Sequence, residues 1–197
     1  NDSLNKVLTD GPIRNFLYVG QFTTNKCVQQ TVEAIFKIYK SEEWHISLVG
    51  DGGTCMGKVK EFVSNNKLEQ HVSFEGRIPR ERIKEYYDKS ECYVMISRSE
   101  AFGLVYLEAM SRGCICIGTK GQGIDGVIRD GFNGFLCDGG SVEGLKEVLL
   151  RINSLSAEEK TVISKNAINT AKLLSDSYVA QEYIASLFEP GLHELVK

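Results

Sequence analysis

Short apolar runs recur along the chain at 15–20, 45–50, 71–76, 92–97, 114–119 and, more briefly, 134–137. Each has strand length, and the stretches between them return apolar residues at helical spacing. Over 28–39, Val28, Val32, Ile35, Phe36 and Tyr39 fall on one face. A second helical stretch covers 56–66, and a third, 79–89, carries Ile83, Tyr86 and Tyr87. Strands roughly 20 to 30 residues apart with a helix in each gap require right-handed crossovers and a parallel sheet covered on both faces. The pattern therefore predicts an α/β fold, a doubly wound, Rossmann-like parallel sheet of about six strands with C-terminal helices. After 138–141 the pattern is helical only: 142–152, then a helix capped by Ser156 with Glu159 at capping-box spacing, then 178–188. The expected organisation is a leader or interdomain linker at 1–12, one domain at 13–175, and a C-terminal helix and tail at 176–197.

The length of 197 residues suits one domain, or one domain plus a tail. A net charge of −3 gives no basic excess for a phosphate backbone, which argues against a nucleic acid partner. The six cysteines (27, 55, 92, 114, 116 and 137) form no C-x-x-C pair, and four fall in or beside predicted strands. They read as reduced, apolar thiols, and the expected location is cytoplasmic. The opening residues, 1–6, are not a signal peptide, and no run of about 18 apolar residues occurs. The chain starts without Met and is expected to be a fragment of something longer.

The candidate chemistry concentrates in 97–108. Glu100 and Glu108 stand on either side of a Phe102-Gly103 turn that opens a helix predicted over 104–112 and closed by Gly113. The turn follows the fourth strand, at the carboxyl edge where open α/β sheets bind ligands. The first helical amides, from Gly103 through Leu104 to Val105, lack intrahelical partners and favour a diphosphate. Glu108, roughly 6 Å further along the axis, is spaced to accept ribose hydroxyls, while Glu100, outside the helix, faces a sugar on the far side. Lys26 follows the first strand and is either a solvated lysine or an anion contact. Arg77 follows the third and would lie along a nucleobase, pair with phosphate or form a surface salt bridge. Two competing motifs fail. The run 52–59 approaches a P-loop but has Val59 where the magnesium-binding hydroxyl belongs. G-x-G-x-x-G at 121–126 follows the fifth strand, not the first, and the turn at 130–134 stops a full helix, leaving a flexible loop on the ligand side. His45, His71 and His193 stand singly, so no metal site is expected.

These motifs, in this order, resemble the donor-binding, C-terminal half of retaining glycosyltransferases of the GT-B fold, family 4. The resemblance runs over roughly 16–188 and is carried by Tyr18-Val-Gly20 with Lys26, Leu48-Val-Gly-Asp-Gly52, Val72-Ser-Phe-Glu-Gly76, the stretch 97–110 and Asp130-Gly-Phe-Asn-Gly134. It implies that Glu100 contacts the donor sugar and that Lys26 neutralises its diphosphate, as the catalytic pair. It also implies that Glu108 binds ribose, that amides around Phe102, Gly103, Leu104 and Val105 hold the diphosphate, and that Gly20, Gln21, Arg77 and Ile78 border the donor.

Three positions depart from the family pattern. Gln21 stands where arginine is common, which leaves Arg98 or Lys120 to meet the donor's charge. Asp125 lies one position before the loop's usual acidic residue, now Gly126, and Cys27 replaces a frequent glycine. The implied activity is metal-independent, cofactor-free hexosyl transfer from a nucleotide sugar to a glycan or lipid-linked glycan. The acceptor would bind a missing N-terminal domain, without which the fragment is inactive. The resemblance leaves room for peripheral association of the full-length protein with the inner membrane face. A non-catalytic sugar-nucleotide or glycan-binding module of the same fold is the alternative. A phosphate binder built on the Lys58 loop is a more distant rival. The sequence leaves base, sugar, acceptor, linkage and oligomeric state open.

Overall fold

The computed structural model describes residues 6–40, 42–101 and 103–174. Strands and helices alternate as β1 (Asn15–Val19), α1 (Val28–Tyr39), β2 (His45–Val49), α2 (Met56–Asn65), β3 (Val72–Gly76), α3 (Arg80–Lys89), β4 (Cys92–Val94), α4 (Leu104–Ser111), β5 (Ile115–Thr119) and β6 (Phe135–Cys137), followed by α5 (Val142–Asn153) and α6 (Ala157–Leu173). All strand pairs are parallel, in the order β3-β2-β1-β4-β5-β6. Every residue of β4, β5 and β6 is buried, as a parallel sheet covered on both faces requires. Helix α1 packs with α2 and α5, and α4 with α6. Phe16, Leu17, Ile46, Leu48, Val94, Ile115 and Ile117 fill the core between sheet and helices. The predicted helix at 178–188 lies outside the described residues.

One strand is shorter than its apolar run. The run 92–97 predicts a strand to Ser97, yet β4 ends at Val94. Met95 still donates to the Ile117 carbonyl at 3.2 Å, but the Arg98 amide donates to the Asn25 carbonyl at 2.9 Å. Past β4 the chain is bonded to loops, with the Ile96 carbonyl accepting from Gly140 N and the Arg98 amide reaching the loop after β1.

The segment 6–14 lies against the body of the domain. Leu8 and Ile13 are buried, Lys6 Nζ donates to the Tyr87 carbonyl at 2.6 Å, and Lys160 Nζ donates to the Thr9 carbonyl at 2.9 Å. Lys160 is itself buried, and this burial lowers its pKa.

The sheet order reverses between β1 and β4. Crossovers leave these two neighbours in opposite directions, so their carboxyl ends bound a crevice that no crossover helix covers. The loops after β1 and β4 are therefore the ones placed to hold a ligand.

The capping box expected at Ser156 is formed: Glu159 N donates to Ser156 Oγ at 3.2 Å and Ser156 N to Glu159 Oε2 at 2.8 Å. Ser156→Ala is expected to lower unfolding free energy by about 1 kcal/mol, read from urea denaturation; an unchanged midpoint would show that this cap contributes nothing to α6.

Candidate functional site

The loop after β1 is built on a close approach of backbones. Gly20 N donates to the Val49 carbonyl at 2.9 Å, and a Cβ on Gly50 would sit 1.9 Å from the Gly20 carbonyl oxygen, so only glycine fits there. Tyr18 Oη donates to the Gln21 carbonyl at 2.7 Å. The chain then forms a single 3-10 turn, Thr24–Lys26. Asn25 staples this turn to the loop after β4: its carbonyl accepts from Arg98 N at 2.9 Å and its side-chain amide donates to the Ser99 carbonyl.

The residues next to that staple are Lys26 and Glu100, and they meet. Lys26 Nζ and Glu100 Oε2 form an ion pair, with side chains only 22% and 15% exposed. The solvated alternative for Lys26 is thereby set aside. Glu100 is also held through its backbone, its amide donating to Gln122 Oε1 at 2.9 Å and its carbonyl accepting from Gly123 N at 3.0 Å. The loop 121–126, expected to be flexible, is latched to Glu100 by these two bonds.

Helix α4 begins beside the pair. Gly103 takes a left-handed φ of 72°, and a Cβ there would lie 2.7 Å from Tyr106 Cδ2 and 3.2 Å from Glu100 Cγ. The amides of Leu104 and Val105 donate to no acceptor among the described residues, and Leu104 is exposed. One turn on, Glu108 Oε2 accepts from Tyr87 Oη at 3.0 Å. Glu108 forms no ion pair among the described residues. Phe102 lies outside the described residues.

A cavity of about 460 Å³ opens at the carboxyl ends of β1, β2 and β3, lined by Gly20, Gln21, Gly50, Arg77, Ile78 and Ile83. It unites four predicted donor contacts, and the exposed Arg77 forms no salt bridge among the described residues. A separate cavity of about 420 Å³, between 126–133 and the end of α6, includes none of the predicted site residues.

Both competing motifs have structural work. In the stretch 52–59, Cys55 N donates to the Phe22 carbonyl at 2.8 Å and Gly52 N to Asp51 Oδ1 at 2.7 Å, so two amides of that loop are spent within the fold. His71 Nδ1 lies 2.9 Å from the Trp44 carbonyl and its ring stacks on Trp44. Among the described residues no group of three His, Cys, Asp or Glu side chains is placed to hold a metal. Five of the six cysteines are buried, all six are free thiols, and burial raises the pKa of Cys92, Cys114, Cys116 and Cys137.

Sequence reasoning missed Asn25, Gln122 and Tyr87. Asn25 carried one usable signal, its place beside Lys26 in the loop after the first strand. Asn25→Ala is expected to cost about 1 kcal/mol of stability and to lower affinity for a nucleoside diphosphate about tenfold, measured by urea denaturation and calorimetric titration. Unaltered affinity would show that Lys26 is held by something else.

The comparisons agree with this geometry. The sequence profile of the family described as glycosyl transferases group 1 matches residues 3–170. The N-acetyl-alpha-D-glucosaminyl L-malate synthase of Bacillus anthracis is 34% identical over 181 residues, which is 92% of this chain and 45% of that protein. The C-terminal domain of a glycosyl transferase group 1 family protein from Francisella tularensis superposes with a TM-score of 0.73 at 23% identity, covering 84% of this chain and 87% of that one. The Anabaena protein HepE, crystallised with UDP and glucose, superposes with a TM-score of 0.76 at 20% identity, over 88% of this chain and 47% of that one. The chain thus spans less than half the length of the Bacillus relative. Its six-stranded, Rossmann-like sheet is the fold it shares with these neighbours, which are GT-B glycosyltransferases. With the profile matched over most of its length, the chain belongs to the glycosyl transferases group 1 family.

Proposed function

We propose that this chain is the donor-binding half of a retaining glycosyltransferase. The full protein would move a hexose-type sugar from a nucleoside-diphosphate sugar to a hydroxyl of a glycan or lipid-linked glycan. The observation that carries the reading is the ion pair of Lys26 and Glu100 at the switch point, beside the amides of Leu104 and Val105, which have no acceptor among the described residues. An arriving diphosphate replaces the carboxylate as the partner of Lys26. It takes Lys26 and the amides as donors, and it frees Glu100 to accept from the hydroxyls of the attached sugar.

The chemistry follows from where charge develops. As the glycosidic bond to the diphosphate breaks, the leaving oxygen gains negative charge, and fixed donors aimed at it lower the barrier. One such donor is worth about 3 kcal/mol in a preorganised site. Lys26 and the start of α4 take the part a divalent ion plays in other transferases, so transfer is expected to proceed in chelator. The base would lie in the cavity formed by Gly20, Gln21, Arg77 and Ile78, with the ribose against Glu108. The leader, domain and tail division at 12 and 175 belongs to the same proposal. The acceptor then falls to an N-terminal domain outside this chain, and the chain alone binds donor without turnover. A cytoplasmic setting, at the inner membrane face when the acceptor is lipid-linked, fits that substrate.

Calorimetric titration with UDP, GDP and ADP sugars is expected to find one that binds in the micromolar range. In the full-length protein Glu100→Ala is expected to reduce transfer at least a hundredfold, about 3 kcal/mol of transition-state stabilisation, with the fold retained. A folded wild-type protein that binds donor but transfers to no glycan or lipid acceptor would favour the binding-module reading. Glu100→Gln supplies a test of sign: with Lys26 no longer paired, affinity for the sugar-free nucleoside diphosphate is expected to rise severalfold, on the scale of about 1 kcal/mol for a partly exposed pair, while transfer falls. Weaker binding of that diphosphate would contradict the competition between carboxylate and phosphate.

A further inference from the structure

Tyr87 sits at the carboxyl-terminal end of α3 and is 1% exposed. Its ring packs on Tyr93 at 6.2 Å between centroids, and Tyr93 packs edge-on against Tyr106 at 5.3 Å. Two of the three phenols spend their protons on backbone carbonyls, Tyr93 Oη on that of Val19 at 3.4 Å and Tyr106 Oη on that of Met95. The third, Tyr87, donates instead to the Glu108 carboxylate, at 3.0 Å.

The contrast between the two glutamates is informative. Glu100 is neutralised by Lys26, whereas Glu108 is partly buried and receives a neutral donor but no cation among the described residues. A carboxylate offers about four lone-pair positions. With one filled by the phenol, the Glu108 carboxylate keeps the capacity to accept from two further hydroxyls. A glutamate side chain left to itself samples many rotamers, and fixing it on binding costs affinity. The buried phenol removes that freedom in advance, because its proton has no other acceptor among the described residues.

We propose that Tyr87 is a positioning residue that presets Glu108 for a vicinal diol and thereby sets the preference of the site for ribonucleotides over deoxyribonucleotides. The proposal rests on the reading of Glu108 as the ribose acceptor and adds the group that orients it. Tyr87 touches no substrate. Its effect passes entirely through the carboxylate, so its removal is felt only by ligands that carry the diol.

The test is a cycle between protein and ligand. UDP, GDP and ADP are titrated into the full-length protein beside their 2′-deoxy counterparts, and the base that binds tightest is used throughout. In the wild type the 2′-deoxy compound is expected to bind at least tenfold more weakly, the scale of one hydrogen bond to a charged group. Tyr87→Phe keeps the ring and removes one oxygen. It is expected to weaken the ribonucleotide about tenfold and the deoxy compound little, so that the preference falls towards unity. An equal loss on both compounds, or an undiminished preference, overturns the proposal. If the Phe variant does not fold in a thermal melt, Tyr87→Met fills the same space without a donor and decides by the same ratio. Glu108→Ala separates the two readings. If it abolishes the preference while Tyr87→Phe does not, only the role of Tyr87 fails; if it too leaves the preference intact, the ribose assignment fails as well.

Discussion

The site depends on one contact, the ion pair of Lys26 and Glu100 across the point where the sheet reverses its order. The two residues lie 74 positions apart and are carried on loops that follow adjacent strands, β1 and β4. Both side chains are largely withdrawn from water, where attraction between opposite charges is stronger than on the surface and an unmatched charge is costly. Each therefore needs the other until a ligand offers both a better partner. An anion satisfies the lysine, and neutral hydroxyls satisfy the carboxylate. On the proposed reading, the ligand that carries both is a diphosphate joined to a sugar.

The rest of the architecture keeps that contact in place. Asn25 ties the two loops together beside the pair, and Gln122 and Gly123 hold the backbone of Glu100 from the other side. Below them Tyr18, Tyr93 and Tyr106 direct their hydroxyls to carbonyls of the loop and strand ends. Burial raises the pKa of all three phenols, so they remain neutral donors. The floor of the site is thus aromatic, closely packed and hydrogen-bonded. Rigidity of this kind lets donors stabilise developing charge without first reorganising.

Much of this was legible in the sequence, for a reason that also explains what was not. Strands and helices announce themselves through local periodicity, and the six apolar runs with helices between them dictated the parallel, doubly wound sheet. The turn at the start of the candidate site was legible too, since Gly103 opens α4 and Glu100 and Glu108 stand on either side of it. What escaped was contact at a distance. Asn25 meets Ser99 74 residues away, Gln122 meets Glu100 across 22, and Tyr87 meets Glu108 across 21. An asparagine, a glutamine and a tyrosine on a helix carry no local mark of such partners. The bond from the Arg98 amide to the Asn25 carbonyl, just past the end of β4, is likewise distant in sequence. The loop 121–126 read as flexible because its glycines are local and its latch to Glu100 is not.

The most direct test of the account is a crystal structure of the full-length protein bound to its nucleoside-diphosphate sugar. The expected result is a diphosphate on the amides of Leu104 and Val105, with Lys26 Nζ moved from Glu100 to a phosphate oxygen and Glu100 turned to the sugar. A donor seated elsewhere, such as the cavity beside α6, or a diphosphate bound with the pair of Lys26 and Glu100 still closed, would contradict it.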